Sequence, residues 1–381
     1  MIGAICRRLL VVFLLFPCFG LDAQFKILIT GLPESTPEGD TLFFAGSING
    51  WNPHDPDFMF RKNPLTGLFE LNIPQPAASG KFKVTRGSWS SVECRSDGSN
   101  IGDRVYMGES RITEINIEAW HDISGLRRRS TAGPGVHIFA DSFYMPELSR
   151  YRKIRVYIPP DYTRSKKKYP VIYMHDGQNA FDEATSYAGE WRVDESLDSL
   201  FSNGDKGCIV VAIDNGGDKR LDEYSPWVHS KYGGGVGTAY ASFIVNTLKP
   251  FVDKHFRTRR DRKNTAIVGS SMGGLISMYT AMTYPEVFGK VGAFSTSYWF
   301  SDQIFLLPFG ESHKKQMRYF LIAGGKEGDT QTADMDKMCS LLKQTGIRPS
   351  NLKCAIFADD GHNEAFWARE FPSAYKWLFE K

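Results

Sequence analysis

A glycine-rich pentapeptide in the second half of the chain has the spacing of a serine nucleophile. Residues 269–273, Gly-Ser-Ser-Met-Gly, fit Gly-x-Ser-x-Gly and lie between an apolar run at 265–268 and a helix-like segment at 274–283. A sharp strand-to-helix turn would lift the serine above the sheet edge, and the flanking glycines leave room for neighbouring backbone. We therefore predict Ser271 as the nucleophile and the Met272 N–H as an oxyanion donor at the helix N-terminus.

A serine hydroxyl is a weak nucleophile until a base takes its proton, and one histidine has the context for this role. His362 lies in the polar segment 359–364, between the last strand-like run and the final helix-like segment. Loops that follow parallel strands face the same edge of a sheet, so His362 and Ser271 are expected on the same side. His362 is the predicted general base.

The acid that orients this histidine is expected between Ser271 and His362 in sequence, after an intervening strand. The strand-like run 319–325 is followed by Lys-Glu-Gly-Asp, which offers Glu327 and Asp329. Glu327 is closer to the end of the strand and is the preferred acid. Asp329 is the alternative.

A second oxyanion donor is expected in the loop after the apolar run 171–174. The Gln178 N–H is the best placed donor there. His175 and Asp176 in the same loop are expected to order it by hydrogen bonding rather than to bind a metal. The predicted chemistry is acyl transfer through a covalent serine intermediate, which requires no cofactor and no metal.

The elements that must position these residues alternate between strand and helix beyond residue 136. Strand-like runs occur at 153–158, 171–174, 209–213, 265–268, 319–323 and 353–358, and helix-like patterns at 191–201, 239–255, 274–283, 332–344 and 364–378. This alternation predicts an α/β fold with a largely parallel sheet covered on both faces.

Residues 24–123 have a different texture, with short alternating apolar runs separated by turn residues. Strands spaced by about 10–12 residues predict a small all-β, immunoglobulin-like sandwich. Residues 124–135, with three arginines, are the predicted linker, and residues 136–381 are the predicted catalytic domain.

Residues 1–23 combine two arginines, a short apolar run and a small residue at the end, as a secretory signal peptide does. Cleavage is expected near Ala23, and the mature protein is expected to be secreted or periplasmic. No later run approaches the about 18 apolar residues of a membrane span, so none is predicted in the mature form.

Composition excludes some classes of protein. Of 381 residues, 42% are hydrophobic and 23% charged, which is typical of folded chains. The net charge of +3 and the short basic clusters argue against a nucleic-acid partner. Cys208 and Cys354 lie in apolar runs and are expected to be buried thiols, although a Cys339–Cys354 bridge stays open. The oligomeric state is left open.

Several stretches carry a resemblance to a known family. They are residues 174–182, 191–195, 215–216, 220–226, 269–274 and 361–362. On these, the segment from about 136 to 381 resembles the putative esterase (esterase D-like) family of α/β-hydrolases. That family includes feruloyl, acetyl-xylan and trilactone siderophore esterases. The resemblance implies an α/β-hydrolase fold and a Ser271–acid–His362 esterase.

The resemblance also implies a substrate pocket. The candidate substrate-binding residues are Gly177, Asn179, Trp191, Arg220, Glu223, Tyr224 and Trp299. For Arg220, Glu223 and Tyr224, a structural ion pair beneath the loop is an equally open alternative.

The β-rich region resembles a starch-binding-type sandwich through residues 45–53 and 82–89. Trp51 and Trp89 could stack on a sugar ring or serve as core aromatics. The region would then either bind glycan or act as a scaffold that frames the esterase pocket.

The expected protein is an exported serine esterase acting on carboxylic esters, with acyl or feruloyl esters on carbohydrate as the first choice of substrate. A trilactone (enterobactin-type) siderophore ester is the alternative substrate. The alternative of another class is an inactive surface glycan-binding protein.

Overall fold

The computed structural model describes residues 24–74, 79–107, 112–123, 129–187, 189–307 and 316–379, without the side chains of Gln24 and Pro74. The predicted signal peptide and residues 124–128 of the predicted linker lie outside this part of the chain. Within it, no helix is both long and apolar enough to cross a membrane.

Residues 24–123, which we call the N-terminal β-region, contain strands and short 3₁₀ turns. The strands are β1 (Gln24–Gly31), β2 (Phe43–Gly46), β3 (Arg61–Lys62), β4 (Phe69–Pro74), β5 (Gly80–Thr85), β6 (Glu93–Cys94), β7 (Arg104–Tyr106), β8 (Ile112–Asn116) and β9 (Ala119–Trp120). Two sheets dominate, ordered β3-β4-β1-β8 and β2-β5-β7, and β6 pairs with β9.

Alternating apolar residues of these strands form one core. Ile27 of β1, Phe44 of β2 and Phe82 of β5 are fully buried in it, and the rings of Phe44 and Phe82 stack with centroids 5.0 Å apart. A strand places every second side chain on the same face, so the alternation in sequence becomes a packed inner face.

Residues 136–379, the hydrolase region, contain ten strands among the described residues. They are β10 (Val136–Met145), β11 (Arg150–Tyr157), β12 (Val171–His175), β13 (Ile209–Ile213), β14 (Val228–His229), β15 (Gly233–Gly234), β16 (Thr265–Ser270), β17 (Lys290–Phe294), β18 (Arg318–Gly324) and β19 (Leu352–Phe357). Eight of them form one sheet ordered β10-β11-β13-β12-β16-β17-β18-β19, and β14 and β15 form a separate hairpin. From β13 to β19 neighbouring strands are parallel, whereas β10 and β11 are antiparallel additions.

Helices cover both faces of this sheet, as the α/β alternation predicted. They are α1 (Val193–Ser202), α2 (Arg220–Glu223), α3 (Gly237–Ser242), α4 (Lys249–His255), α5 (Met272–Thr283), α6 (Asp329–Gln344) and α7 (Glu364–Phe379), with a π-helical turn at Phe243–Leu248 between α3 and α4. In β12, Tyr173 packs into one core and Ile172 and Met174 into the other. A strand buried on both sides has no polar face, which explains its continuous apolar run.

The cysteines correct one prediction. Cys354, expected to be a buried thiol, forms a disulfide with Cys339. Helix α6 carries Cys339 and packs beside β19, which carries Cys354, so the two Cα atoms lie 6.5 Å apart, within bridging range. Cys208 is buried, as expected, and its burial raises the pKa of the thiol.

The N-terminal β-region touches the hydrolase region near the carboxyl ends of its strands. Asn100 Nδ2 donates to Glu183 Oε1 at 2.9 Å. Gly50 lies so close to the Tyr232 ring that an added Cβ would be 2.8 Å from a ring carbon. These contacts bring loops of the β-region to the side of the sheet where β12 and β16 end.

Candidate active site

Ser271 occupies a strained turn between β16 and α5. Its φ of 56° and ψ of −124° lie in a region that side-chain-bearing residues rarely adopt. An added Cβ at Gly269 would lie 2.5 Å from the carbonyl of Gly273, so no larger residue fits there. The Ser271 N–H donates to Phe294 O at 2.9 Å, and α5 begins at Met272. The turn therefore presents the Ser271 hydroxyl beside the N-terminus of α5.

The structure brings His362 against Glu327. His362 Nδ1 lies 2.8 Å from Glu327 Oε2, and the Glu327 side chain is 1% exposed. Burial alone would raise the pKa of Glu327, but the hydrogen bond and charge of His362, with donors from Ser295 and Gly324, hold it below its usual value. Glu327 is therefore an ionised acceptor. Asp329 lies exposed at the start of α6.

Ser295 connects this pair to the turn that carries Ser271. Its Oγ donates to Glu327 Oε1 at 2.6 Å and accepts from Trp367 Nε1 at 2.8 Å. Ser295 directly follows Phe294, whose carbonyl holds the Ser271 N–H, so the end of β17 ties both parts together. The Trp367 ring meets the His362 ring edge-on, with centroids 5.0 Å apart. Sequence reasoning missed Ser295 and Trp367.

Ser297 is a further residue that sequence reasoning missed. Its hydroxyl lies 3.1 Å from the Ser271 hydroxyl, and its N–H donates to Ser271 O at 3.1 Å. The only sequence signal for Ser297 is the polar run Ser-Thr-Ser directly after the apolar strand β17. Such a run matches no catalytic motif, so the sequence predicts an ordinary loop.

The loop after β12 carries the second predicted oxyanion donor. Asp176 is in a left-handed conformation, with φ of 54°, and residues Gly177–Asn179 form a 3₁₀ turn. An added Cβ at Gly177 would lie 2.7 Å from the Ala212 carbonyl carbon, so the loop is packed onto β13. Gln178 is buried, and its Oε1 accepts from the Asn215 N–H at 3.1 Å.

Arg220 holds this loop from outside. Its guanidinium donates to both oxygens of Asp176, at 2.7 and 2.9 Å. Burial alone would raise the pKa of Asp176, but Arg220 and Asn215 hold it below its usual value. Arg220 thus belongs to a structural ion pair, with Asp176 as its partner, and keeps 24% of its side chain exposed.

His175 and Tyr224 lie beneath the same loop. His175 Nδ1 is 3.1 Å from the Tyr240 hydroxyl, and burial lowers the pKa of His175 to about 3, so the ring is neutral. The Asp176 N–H donates to the Tyr224 hydroxyl at 3.1 Å. Tyr224 orders the loop by this hydrogen bond, whereas the His175 side chain is held to Tyr240 of α3.

Other pocket candidates divide between the interior and the surface. Glu223 is fully buried in an ion pair with Arg150 and Arg152. Trp191 and Tyr224 are also buried, and Trp191 packs on Phe294. These side chains support the site from behind. Asn179 is buried, and its Oδ1 accepts from the Tyr187 N–H.

Trp299 lies at the surface and is 43% exposed. Its ring meets Tyr232 and His229 edge-on, at centroid distances of 5.7 and 6.1 Å. It follows Ser297 by two residues in sequence, and the Ser297 hydroxyl contacts the Ser271 hydroxyl. Tyr232 also contacts Gly50, which makes the N-terminal β-region a neighbour of the site.

Trp51 and Trp89 lie together in the N-terminal β-region. Both are half-buried, and their ring centroids are 6.3 Å apart. They form a small aromatic pair away from the packed inner face.

One group of carboxylates has the geometry to hold a metal ion. One oxygen each from Glu190, Asp194 and Glu195 lies within 4.8 Å of the others. Burial and the neighbouring Glu195 charge raise the pKa of Glu190 to about 7. Burial is also the main cause that raises the pKa of Asp194 to about 7.

The mixed sheet, its two helical layers and the serine at the strand–helix turn define the class of α/β-hydrolases. Residues 146–378 match the putative esterase family, named Esterase, which is more than half of the chain. The chain therefore belongs to this family and is an esterase.

Curated relatives are similar over different lengths of the chain. It is 28% identical over 243 residues to the uncharacterized protein YbbA of Bacillus subtilis, covering 60% of this chain and 93% of YbbA. It is 21% identical over 243 residues to an endo-1,4-beta-xylanase/feruloyl esterase of Xylanibacter ruminicola, covering 63% of this chain and 31% of that protein. A 94-residue stretch, 24% of the chain, is 32% identical to an alpha-amylase of Niallia circulans and covers 7% of it. The chain thus spans well under two thirds of the last two.

Among solved structures, the enterochelin esterase of Shigella flexneri has a similar fold. The TM-score is 0.53 at 15% identity, and the match covers 89% of this chain and 87% of that one. The matched part of the chain is therefore longer than the hydrolase region alone.

Proposed function

We propose that the chain is an exported serine esterase whose catalytic residues are Ser271, His362 and Glu327. The observation that carries this proposal is the 2.8 Å contact between His362 Nδ1 and the buried Glu327 carboxylate. Glu327 lies on the loop after β18 and His362 on the loop after β19. The strained Ser271 turn follows β16 in the same sheet. A histidine oriented by a buried carboxylate is the base that activates a serine hydroxyl, which supports the assignment of these three residues to one site.

The reaction would proceed in two steps. Ser271 Oγ attacks the ester carbonyl while His362 Nε2 takes its proton, and the N–H groups of Met272 and Gln178 hold the oxyanion. The ester C–O bond then breaks, and His362 gives the proton to the leaving alkoxide. Water hydrolyses the acyl-enzyme by the same sequence. Glu327 keeps the proton of the imidazole on Nδ1 and stabilises its cation.

Acyl or feruloyl esters on carbohydrate are the substrates we propose first. The similarity to a xylanase/feruloyl esterase and the 94-residue similarity to an alpha-amylase favour sugar-linked substrates. We assign the N-terminal β-region as an immunoglobulin-like, carbohydrate-binding-type module that frames the pocket, because Gly50 contacts Tyr232 beside Trp299. We assign the exposed Trp299 and the partly exposed Arg220, which also pairs with Asp176, to substrate contact. Trp51 and Trp89 are the candidate sugar contacts.

A siderophore ester is the second candidate substrate. The fold similarity to enterochelin esterase covers 89% of the chain, which includes residues outside the family match at 146–378. An inactive glycan-binding protein is disfavoured, because an ionised acid and a histidine are held in contact at the expected sheet edge.

The test is hydrolysis of p-nitrophenyl acetate by the wild type and Ser271→Ala, with the exposed Ser199→Ala as a matched control. The proposal expects Ser271→Ala to lose activity by several orders of magnitude and Ser199→Ala to retain it. Equal rates for all three proteins would overturn it. Acetylated xylan, methyl ferulate and a trilactone siderophore, compared by kcat/KM, then decide the substrate.

A further inference from the structure

Three acidic side chains face one another near the start of α1, and Glu195 forms an ion pair with the exposed Arg192 at 3.4 Å. One oxygen each from Glu190, Asp194 and Glu195 lies within 4.8 Å of the others. Two oxygens bound to one Ca²⁺ at about 2.4 Å are separated by at most about 4.8 Å. The spacing is therefore that of ligands around a single ion.

In each of these carboxylates one oxygen accepts a hydrogen bond and the other has no partner among the described residues. Glu190 Oε2 accepts from Thr131 Oγ1 at 3.0 Å, and Asp194 Oδ2 accepts from the Gly133 N–H at 2.7 Å. Glu195 Oε1 accepts from Arg192 at 3.4 Å. Among the described residues, the opposite oxygens (Glu190 Oε1, Asp194 Oδ1 and Glu195 Oε2) are buried and have no hydrogen-bond partner.

Asp194 is the strongest indication of a ligand. The residue is 0% exposed, yet Asp194 Oδ1 has no partner within the described part of the chain. A buried, unsatisfied carboxylate oxygen carries a large desolvation cost. The Arg192 side chain is 66% exposed, so water screens its charge and it compensates the buried acids poorly.

We propose that Glu190, Asp194 and Glu195 hold a Ca²⁺ ion. All three ligands are carboxylates, which favours a hard cation over zinc or copper. Ca²⁺ accepts several protein carboxylates in irregular geometry, whereas Mg²⁺ usually keeps most of its water and takes one or two. Glu195 is partly exposed, so water can complete the shell.

The ion would fasten the linker to the hydrolase region. Thr131 and Gly133, which hold the outer oxygens of Glu190 and Asp194, belong to the segment that joins the two regions. Ser130 Oγ also donates to Asp182 Oδ2 at 2.8 Å, so the linker runs along this acidic segment. Binding Ca²⁺ would therefore stabilise the fold, and the inference does not depend on the proposed reaction.

The test uses the full-length protein, stripped with EDTA and exchanged into metal-free buffer. Calorimetric titration with CaCl₂ should give one site per chain. CaCl₂ at about one hundred times the Kd should raise Tm by about 3–4 °C. Tb³⁺, which replaces Ca²⁺ in such sites, should show luminescence sensitised by the adjacent Trp191.

Glu195→Gln, at the partly exposed position, should lose the Ca²⁺-dependent rise in Tm, and so should Asp194→Asn if it folds. Asp336→Asn, on the exposed face of α6, is the matched control and should keep the full response. No Ca²⁺ response in the wild type, or an undiminished response in Glu195→Gln, overturns the proposal. An equal or larger rise with MgCl₂ overturns the choice of Ca²⁺.

Discussion

Glu327 and the Glu190–Asp194–Glu195 group are both buried acids, but their oxygens are bound differently. Glu327 has donors at both oxygens, namely His362 at Oε2 and Ser295 and Gly324 at Oε1. In the other group each carboxylate keeps one buried oxygen without a partner among the described residues. The pKa of Glu327 is accordingly lowered, whereas burial raises that of Glu190 to about 7.

This difference teaches that burial alone does not decide the charge of an acid. Desolvation favours the neutral form in every case, and donors aimed at the carboxylate reverse that preference. Glu327 is built to stay ionised beside a histidine. The acidic group near the linker keeps three buried oxygens without a partner among the described residues, which is the arrangement we propose for binding a cation. The predictions below test each half of this contrast.

The largest expected effect follows from replacing Glu327. Glu327→Gln should lower kcat on p-nitrophenyl acetate by about 10³–10⁴-fold, because the imidazole loses the partner that holds its tautomer and stabilises its cation. Asp329→Asn, at the exposed neighbouring acid, should stay within about two-fold of the wild type. Equal losses in both variants would contradict the assignment of the acid.

Glu223 is a buried acid that is fully paired and lies outside the proposed Ser271–His362–Glu327 triad. Glu223→Gln should lower the free energy of unfolding by about 3–5 kcal/mol, because Arg150 and Arg152 are left without their anion. Denaturant titration measures this change. The surface pair Arg369–Asp360 is the control, and Asp360→Asn should cost below about 1 kcal/mol. Similar costs would show that burial of the pair does not matter.

Ser295 supplies one of the hydrogen bonds to the Glu327 carboxylate, so its replacement tests whether donors keep that acid ionised. Ser295→Ala should destabilise the protein by about 1.5–3 kcal/mol at pH 7, since the bond it removes is to a charged group. The lowered pKa of Glu327 contributes stability above the usual value of 4.5, and this is lost as pH falls through the folded-state pKa. The difference between wild type and variant should therefore narrow in acid.

The comparison for Ser295→Ala is Ser297→Ala, which removes the hydroxyl beside Ser271 and no donor to Glu327. Its unfolding free energy should run parallel to that of the wild type between pH 6 and pH 3. Parallel curves for Ser295→Ala as well would mean that this donor does not set the charge of Glu327.

The acidic group should respond to pH in the opposite direction. Burial raises the pKa of Glu190 from 4.5 to about 7, so in EDTA the wild type should lose stability as pH rises through that interval. Glu190→Gln should lose less stability over this interval, because only Asp194, whose pKa is also raised to about 7, still takes part. It should be more stable than the wild type at pH 8 by about 1–2 kcal/mol, a value reduced for partial exposure. Near pH 4 the two should be equal. A less stable variant at pH 8 without metal would contradict the contrast.

Local patterns in the sequence predicted most of the residues that we propose as catalytic. The Gly-Ser-Ser-Met-Gly motif, its strand and helix, and the acidic and histidine-bearing loops are short segments whose meaning depends on near neighbours. The prediction of Glu327 over Asp329 rested on distance from the strand end, and the structure places Glu327 against His362 and Asp329 at the surface.

Other features needed residues that are far apart in sequence. Ser295 and Trp367 meet only because β17 and α7 pack together, and no motif marks either residue. Cys339 and Cys354 were left open because their separation depends on how α6 lies beside β19. Trp191 and Glu223 looked like pocket residues, but their burial places them behind the site.

The sequence by itself predicted the fold class and an esterase, because strand–helix alternation and the glycine-rich turn at Ser271 are local properties of the chain. Only the tertiary structure decided which acids are ionised and which are left with unsatisfied oxygens. The charge of a buried carboxylate depends on desolvation and on donors brought from distant segments, and neither is visible in the order of residues.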